Sequence, residues 1–291
     1  MKKKLHYQPP KDRHIGVRTL LMLLAILMLI PIVITILYSF FSPEEIKAYM
    51  QTRGSFDADK WMDVKLSPRM FSLSQYYQIL IKDTSILKMF VNSAFYTVAI
   101  LLGQALVVPM MAYALSRFNF KGREAIFFMI LMLMLLPFQV TMVPNVLTLR
   151  QLGLLNTVWA VILPMWFSPF YIFLIRQFMI GLPNELIEAG EMDGAGTVRC
   201  YIHIVLPVCR PVIGAAVALS FADCWNLVEQ PMTYLSQNTE LQPLSVMFNQ
   251  LVDQSTGIEF AGAAIYILPA LFVYLYFLKD ILTGIQLTEL K

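Results

Sequence analysis

Long apolar stretches separated by short polar ones organise this chain. Residues 90–115, 125–149, 154–175 and 260–278 contain no Asp, Glu, Lys or Arg, and 17–41 has only Arg18, at its edge. Bilayer hydrocarbon about 30 Å thick takes about 20 apolar helical residues to cross. Each of these five stretches therefore predicts a membrane span, with Arg18 placed to snorkel. A sixth, 205–222, carries Arg210, Pro207 and Pro211. Its uninterrupted apolar part, Pro211 to Ala222, is short and needs the preceding turn to reach across. The pattern predicts an all-α polytopic membrane protein of six transmembrane helices. An arm over 1–16 precedes one transmembrane domain over 17–291, whose longest loop on the arm's side is 176–204.

Lys2, Lys3 and Lys4 before the first apolar stretch resemble the start of a signal peptide. The apolar part, 17–41, is far longer than a signal's core of about 7–15 residues, so it reads as a retained anchor. With both termini cytoplasmic, the inner segments carry 13 Lys and Arg against 8 in the outer loops, the direction the positive-inside rule expects. Seven of the outer eight fall in 42–89, which weakens the bias. The segment 223–259 has five acids (Asp223, Glu229, Glu240, Asp253, Glu259) and no Lys or Arg, as an outer loop would. The 42–89 loop, with Trp61, Phe71, Tyr76 and Tyr77, forms either a small outer cap or an ordered connection on the helix ends.

Composition agrees and removes whole classes of function. Hydrophobic residues make up 58% and charged ones 14%, against roughly 45–50% and about 25% in soluble domains. A net charge of +3 without a basic patch excludes a nucleic-acid surface. Cys200, Cys209 and Cys224 form no CxxC or Cys/His cluster, so neither a disulfide framework nor a metal site is indicated. There is no GxxxxGK[ST] phosphate loop, HExxH or GxSxG, and His6, His14 and His203 are scattered. No catalytic site, metal or cofactor is expected, and uphill transport would need energy from another protein. The five best spans hold no central ionisable group of the kind an ion-coupled carrier uses. Gly103, Pro109, Pro137, Pro144, Pro164, Pro169 and Pro269 mark places where spans can kink or simply pack.

The chemistry concentrates in the loop running from Leu182-Pro-Asn-Glu-Leu-Ile-Glu-Ala-Gly-Glu-Met-Asp-Gly-Ala-Gly196 to His203-Ile-Val-Leu-Pro207. Asn184 is placed to cap a short helix, with Glu185 and Glu188 near its positive end. Gly190 and Gly194 permit the chain to stop and turn. Leu182, Leu186 and Ile187 offer an apolar side. A short acidic helix of this kind fits a groove in a partner; a solvated loop helix fits the same composition.

Spacing makes the resemblance specific. Glu188-Ala189-Gly190, three residues, Gly194, nine residues, Ile204, one residue, Leu206-Pro207 matches in every interval the signature Glu-Ala-Ala…Gly…Ile-x-Leu-Pro of inner-membrane permeases from binding-protein-dependent ABC importers. The one departure is Gly190 for the second Ala, a change that loosens a helix by about 1 kcal/mol. Asp193-Gly194-Ala195, Arg210-Pro211, Leu152 to Trp159, Arg176-Gln177-Phe178, Leu182 to Leu186 and Cys224-Trp225-Asn226 resemble the carbohydrate branch. Over nearly all of 15–291 the chain resembles the second, six-helix permease of maltose-type sugar importers, which implies the type I importer permease fold.

The resemblance implies a set of partners and roles. The Glu188 loop would be a coupling helix seated in an ATP-binding subunit, with Glu188 near an Arg of that partner, and Glu188, Ala189, Gly190, Asp193, Gly194, Ile204, Leu206 and Pro207 forming the coupling element. Two ATP-binding subunits, a second permease and an extracellular sugar-binding protein complete the importer. The 223–259 segment would meet the binding protein through Gln242, Asn249, Gln250, Asp253 and Gln254. Phe221, Trp225 and Asn226 would line the sugar's path, although the companion permease makes most substrate contacts in such relatives. The tail Gly284–Lys291 would reach the ATPase interface or fray. Two rival classes stay open: an ion-coupled secondary transporter, and a membrane protein that docks an ATPase without transporting.

Overall fold

The computed structural model describes residues 15–52, 67–82, 84–251 and 258–289, and every regular element among them is helical. They form two compact units, Met1–Gln78 with Ser255–Ala264 and Ile79–Gln254 with Ile265–Lys291.

In the first unit, α1 (Ile15–Tyr38) has a membrane-length window with no buried residue. Its polar groups satisfy one another within the helix, so its apolar side chains can face lipid. Only its end enters a core, where Tyr38, Phe41 and Ile46 are buried against Ile34, Leu37 and Phe260. Ile46 belongs to α2 (Pro43–Thr52). Gln75, in α3 (Ser74–Tyr77), is fully buried there. Its amide nitrogen donates to the Tyr38 and Phe41 carbonyls at 2.7 and 2.8 Å, and its carbonyl accepts the Ala261 amide at 3.2 Å. One side chain thus satisfies carbonyls that the end of α1 leaves open. Phe71 stacks on Phe40 at 4.6 Å and Tyr76 donates to Ser39 at 2.8 Å, so this part of the 42–89 loop packs on a helix end. Trp61 lies outside the described residues.

The second unit is built on α4 (Thr84–Arg117), whose 34 residues extend about 51 Å, well beyond a bilayer's hydrocarbon. Next come α5 (Arg123–Leu135) and α6 (Phe138–Gln151), which meet at 109°. The single span expected over 125–149 is therefore broken. Leu136, with Pro137 after it, is extended, the conformation that a following proline favours. Then α7 (Val158–Trp166) and α8 (Pro169–Ile180) run as one 23-residue span, shifted toward the C-terminus from the expected 154–175.

A short helix, α9 (Glu185–Met192), leads into α10 (Thr197–Cys200), a π turn over Tyr201–Val205 and α11 (Leu206–Val208). This run meets α12 (Arg210–Trp225) at 73°, so the fifth span also bends, with Leu206 and Pro207 before the bend. The last elements are α13 (Glu229–Tyr234), α14 (Leu244–Leu251) and α15 (Glu259–Glu289), which carries most of the expected tail on as helix. Among the described residues four helices are long and apolar enough to cross a membrane, or six if each bent pair is one span.

Two of the buried cores in this unit pack against α4. One joins Val108 and Ala112 of α4 to Ile172, Ile175 and Met179 of α8, and to Val205, Cys209 and Val212 around the 73° bend. The other joins Tyr96 and Ile100 to Val161, Ile162 and Leu235. At Gly103, α4 lies flat against the Trp166 indole, where a Cβ would stand about 2.0 Å from the ring.

The 223–259 segment corrects the expectation of an open polar loop. Tyr234, Leu235, Leu244 and Val246 are fully buried. Asn92 donates to the Glu240 and Gln242 carbonyls at 2.9 and 3.1 Å, Tyr96 donates to Leu241 O at 2.9 Å, and the Leu244 amide donates to Ser93 Oγ at 2.9 Å. Residues 234–246 of it form a folded cap on one end of α4.

Candidate coupling site and translocation elements

The loop carrying the signature is closed by its own hydrogen bonds and packing. α9 closes in a Schellman arrangement: the Gly194 amide donates to Glu191 O at 2.9 Å and the Ala195 amide to Gly190 O at 3.0 Å. Gly194 has φ +80°, the left-handed geometry that this cap requires and glycine adopts freely. Gly190, read above as part of the turn, instead lies inside the helix and is buried. A Cβ there would stand 2.5 Å from Ile204 Cδ1 and 3.3 Å from Cys200 Sγ. Two signature positions fourteen residues apart therefore touch, and the π turn brings Ile204 to that contact.

This pairing decides which face α9 presents. Leu182 and Ile187 pack into the core of the second unit, contrary to their expected place on a partner-facing side. Leu186, Glu185, Glu188, Ala189 and Asp193 are exposed, and Met192 is 88% exposed. Asn184 does not cap the helix; its Oδ1 accepts from Arg117 Nη1, and the first turn has no side-chain cap. Glu188 keeps an open carboxylate between an exposed alanine and an exposed methionine. Such a surface offers one charge and a shallow apolar patch to a groove.

The residues expected along a sugar path divide in the structure. Phe221 stacks on Trp225 at 5.6 Å, Trp225 stacks on Tyr266 at 5.2 Å, and Phe90 meets Trp225 edge-on at 5.6 Å. The indole donates to Tyr266 O at 3.1 Å, so Phe221 and Trp225 are buried scaffold in this conformation. Asn226 is exposed and accepts from the Tyr266 hydroxyl at 3.2 Å. Asp223, read as the start of an outer loop, lies inside α12, where the Tyr171 hydroxyl donates to its Oδ2 at 2.6 Å.

Of the residues expected to meet a binding protein, Gln242 is 7% exposed, because the cap folds it against α4. That burial takes it off the accessible surface. Asp253 and Gln254, and the side chains of Asn249 and Gln250, lie outside the described residues. Beside Gln242, Glu240 forms an ion pair with Lys88 at 2.6 Å, and this ammonium holds its carboxyl below the usual range. No cluster of metal-ligating side chains occurs among the described residues.

Residues 105–279 match the family described as the inner membrane component of binding-protein-dependent transport systems, a stretch that includes the whole signature loop. The chain belongs to this family. It is 30% identical over 205 residues to an arabinooligosaccharides transport system permease protein of Halalkalibacterium halodurans, covering 69% of this chain and 73% of that one. A diacetylchitobiose uptake system permease protein of Streptomyces coelicolor is 32% identical over 205 residues, with 68% of each covered. A chain in the crystal structure of a bacterial ABC transporter that imports the acidic polysaccharide alginate superposes with a TM-score of 0.78 at 25% identity, covering 94% of this chain and 98% of that one. The chain is thus a multi-pass inner-membrane permease of an ABC importer, with the type I permease fold and ATP hydrolysis assigned to a separate subunit.

Two arginines of the permease, absent from the sequence-based site, tie α8 to its neighbours, and Arg117 also holds the turn before α9. Arg117, the last residue of α4, donates through Nη2 to Met179 O at 2.6 Å and Leu182 O at 2.8 Å as well as to Asn184. Arg176 is buried. Its Nε donates to Leu115 O at 3.1 Å, and its guanidinium lies 3.6 Å above the Phe127 ring and 3.4 Å from Glu124. The signal for both was available: arginines at the ends of apolar runs, where planar forks satisfy the last carbonyls of helices.

Proposed function

We propose that this permease carries a carbohydrate, delivered by an extracellular binding protein, through a pathway shared with a second permease. The chain crosses the membrane six times, each bent pair counting as one crossing, with both termini cytoplasmic. Residues 1–16 form an inner arm before the transmembrane domain of 17–291. Carbohydrate is the class supported by the similarity to the arabinooligosaccharide and diacetylchitobiose permeases. The chain holds no nucleotide or metal of its own, and two ATP-binding subunits supply the energy. Loaded binding protein and ATP bias the balance between two states of the assembly.

The observation that carries this reading is the presentation of α9. Gly190 is seated on Ile204 and Arg117 anchors the preceding turn, while Glu188, Ala189 and Met192 face outward. Force on that face reaches α12 through the π turn and α4 through Arg117. Glu188, Ala189, Asp193 and Gly194 form the docking side; Gly190, Ile204, Leu206 and Pro207 transmit. Asn226 stands on the pathway side, and Asn249, Gln250, Asp253 and Gln254 on the binding-protein side.

The test is co-purification of the tagged chain from intact membranes, wild type beside Glu188→Arg. Wild type is expected to bring down a second permease and an ATP-binding subunit, and Glu188→Arg to lose only the ATPase. An ATPase indifferent to the charge reversal removes Glu188 from the docking site. Recovery of the chain alone, with uptake that survives loss of the ATPase, restores the secondary-transporter reading.

A further inference from the structure

The Asp223–Tyr171 pair puts a carboxylate where the sequence places none. Tyr171 lies near the middle of the 23-residue span Val158–Ile180, and its hydroxyl reaches Asp223 Oδ2 at 2.6 Å. At 1.5 Å per residue the tyrosine is about 20 Å from one end of that span and about 14 Å from the other. Its partner carboxylate therefore sits close to the depth of the bilayer centre. An ionisable group at that depth faces protein or water, because contact with lipid is too costly.

Asp223 is nevertheless exposed on this chain. It lies on an open stripe of α12 made by Leu219, Ala222, Asp223 and Asn226, while Ser220, Phe221, Cys224 and Trp225 on the opposite side are buried. The spacing, three, one and three residues, is that of a single helix face. Behind it the Ser220 hydroxyl donates to the Gln104 carbonyl oxygen, and the Gln104 amide donates to Met165 O at 2.7 Å. The polar groups behind the stripe are thereby satisfied from within, whereas Asp223 is exposed, with one oxygen held by Tyr171.

We infer that Asp223, oriented by Tyr171, is a selectivity determinant on the translocation pathway: it accepts hydrogen bonds from hydroxyls of an uncharged sugar and repels acidic ones. This inference rests on the carbohydrate reading above and narrows it to neutral oligosaccharides. A carboxylate takes two sugar hydroxyls as an acceptor. A uronate carboxylate brought to the same place meets a like charge in a medium of low dielectric, where the repulsion is large. Tyr171 is a positioning residue, since its hydroxyl is spent on Asp223. The substrates of similar proteins include both arabinooligosaccharides and an acidic polysaccharide, so family membership leaves this choice open.

The experiment uses the whole purified importer in nanodiscs and measures equilibrium binding of labelled arabinotriose, xylotriose and triacetylchitotriose against trigalacturonate. Wild type is expected to favour its best neutral probe over trigalacturonate by at least about tenfold, and Asp223→Asn to lower that ratio by about tenfold. Asp223→Glu should restore it, and Tyr171→Phe should lower it part of the way with the fold intact. Wild-type binding of trigalacturonate equal to or tighter than every neutral probe overturns the inference. So does an unchanged ratio in Asp223→Asn, which, if the second permease is also lost, would make the carboxylate an interface group. Either result leaves Glu188-dependent ATPase recovery intact, so the coupling reading survives. Binding of no sugar by an importer that retains its ATPase overturns both the selectivity and the carbohydrate assignment.

Discussion

Gly190 lies against Ile204 so closely that a methyl on its Cα would stand 2.5 Å from Ile204 Cδ1. α9 and the turn that leads into α12 thus meet without a side chain between them. Alanine at 190 gains helix propensity of about 1 kcal/mol but overfills the contact, which costs about 1–3 kcal/mol. Gly190→Ala is therefore expected to lower thermal stability in detergent slightly, and Gly190→Ala with Ile204→Val, which removes the crowding carbon, to recover it. Additive effects in this double-mutant cycle would show that the two positions do not press on each other.

Arg117 offers a way to loosen the coupling loop without touching its exposed face. Arg117→Ala leaves the Met179 and Leu182 carbonyls without their charged donor, a loss of about 2 kcal/mol. Asn184→Ala removes only one of the three contacts and should cost about half as much. The readout is stimulation of ATPase activity by loaded binding protein, expected to fall further in Arg117→Ala than in Asn184→Ala. Basal ATPase of the isolated subunit should not move.

Gly103→Ala is expected to be the most damaging single methyl in the permease. Its Cβ would stand about 2.0 Å from the Trp166 indole, and the ring is held by its 3.1 Å bond to Ala99 O. Overpacking against a fixed ring costs about 3 kcal/mol. Adding Trp166→Leu should recover part of the lost folded yield, measured by size-exclusion profile; an unchanged profile for Gly103→Ala alone would contradict the close packing.

The Lys88–Glu240 pair ties the start of α4 to the cap and supplies a pH signature. Because Glu240's carboxyl is held low by Lys88, its contribution is full above the ordinary carboxyl value of about 4.3 and is lost as pH falls through the lowered folded-state value. Both side chains are exposed, so the effect is small and weakens with salt. Glu240→Gln should therefore melt below wild type at neutral pH and match it in strong acid. A gap that grows in acid would reverse the assigned sign.

Much of this protein is local, and what is local was legible in the chain. Apolar runs over 17–41, 90–115 and 260–278 sit within α1 extended by its following turn, α4 and α15, because length and the absence of charge are properties of consecutive residues. Proline at 137 marked the place of a bend, and its angle of 109° needed the neighbours against which α5 and α6 pack. The signature was legible as spacing, and Gly194 as the glycine of a helix cap, since a left-handed residue is a local demand.

Contacts between distant residues were decided only by the tertiary structure. Asn184 caps nothing because Arg117, 67 residues earlier, claims its oxygen. Gln242 is polar in sequence and buried in space, because α4 supplies donors for the carbonyls around it. Asp223 reads as the edge of an outer loop until Tyr171, 52 residues earlier, brings its carboxylate to mid-span. Hydropathy records how each residue partitions alone; whether a polar group can lie deep in the membrane depends on the partner that replaces its water, and that partner is set by the fold.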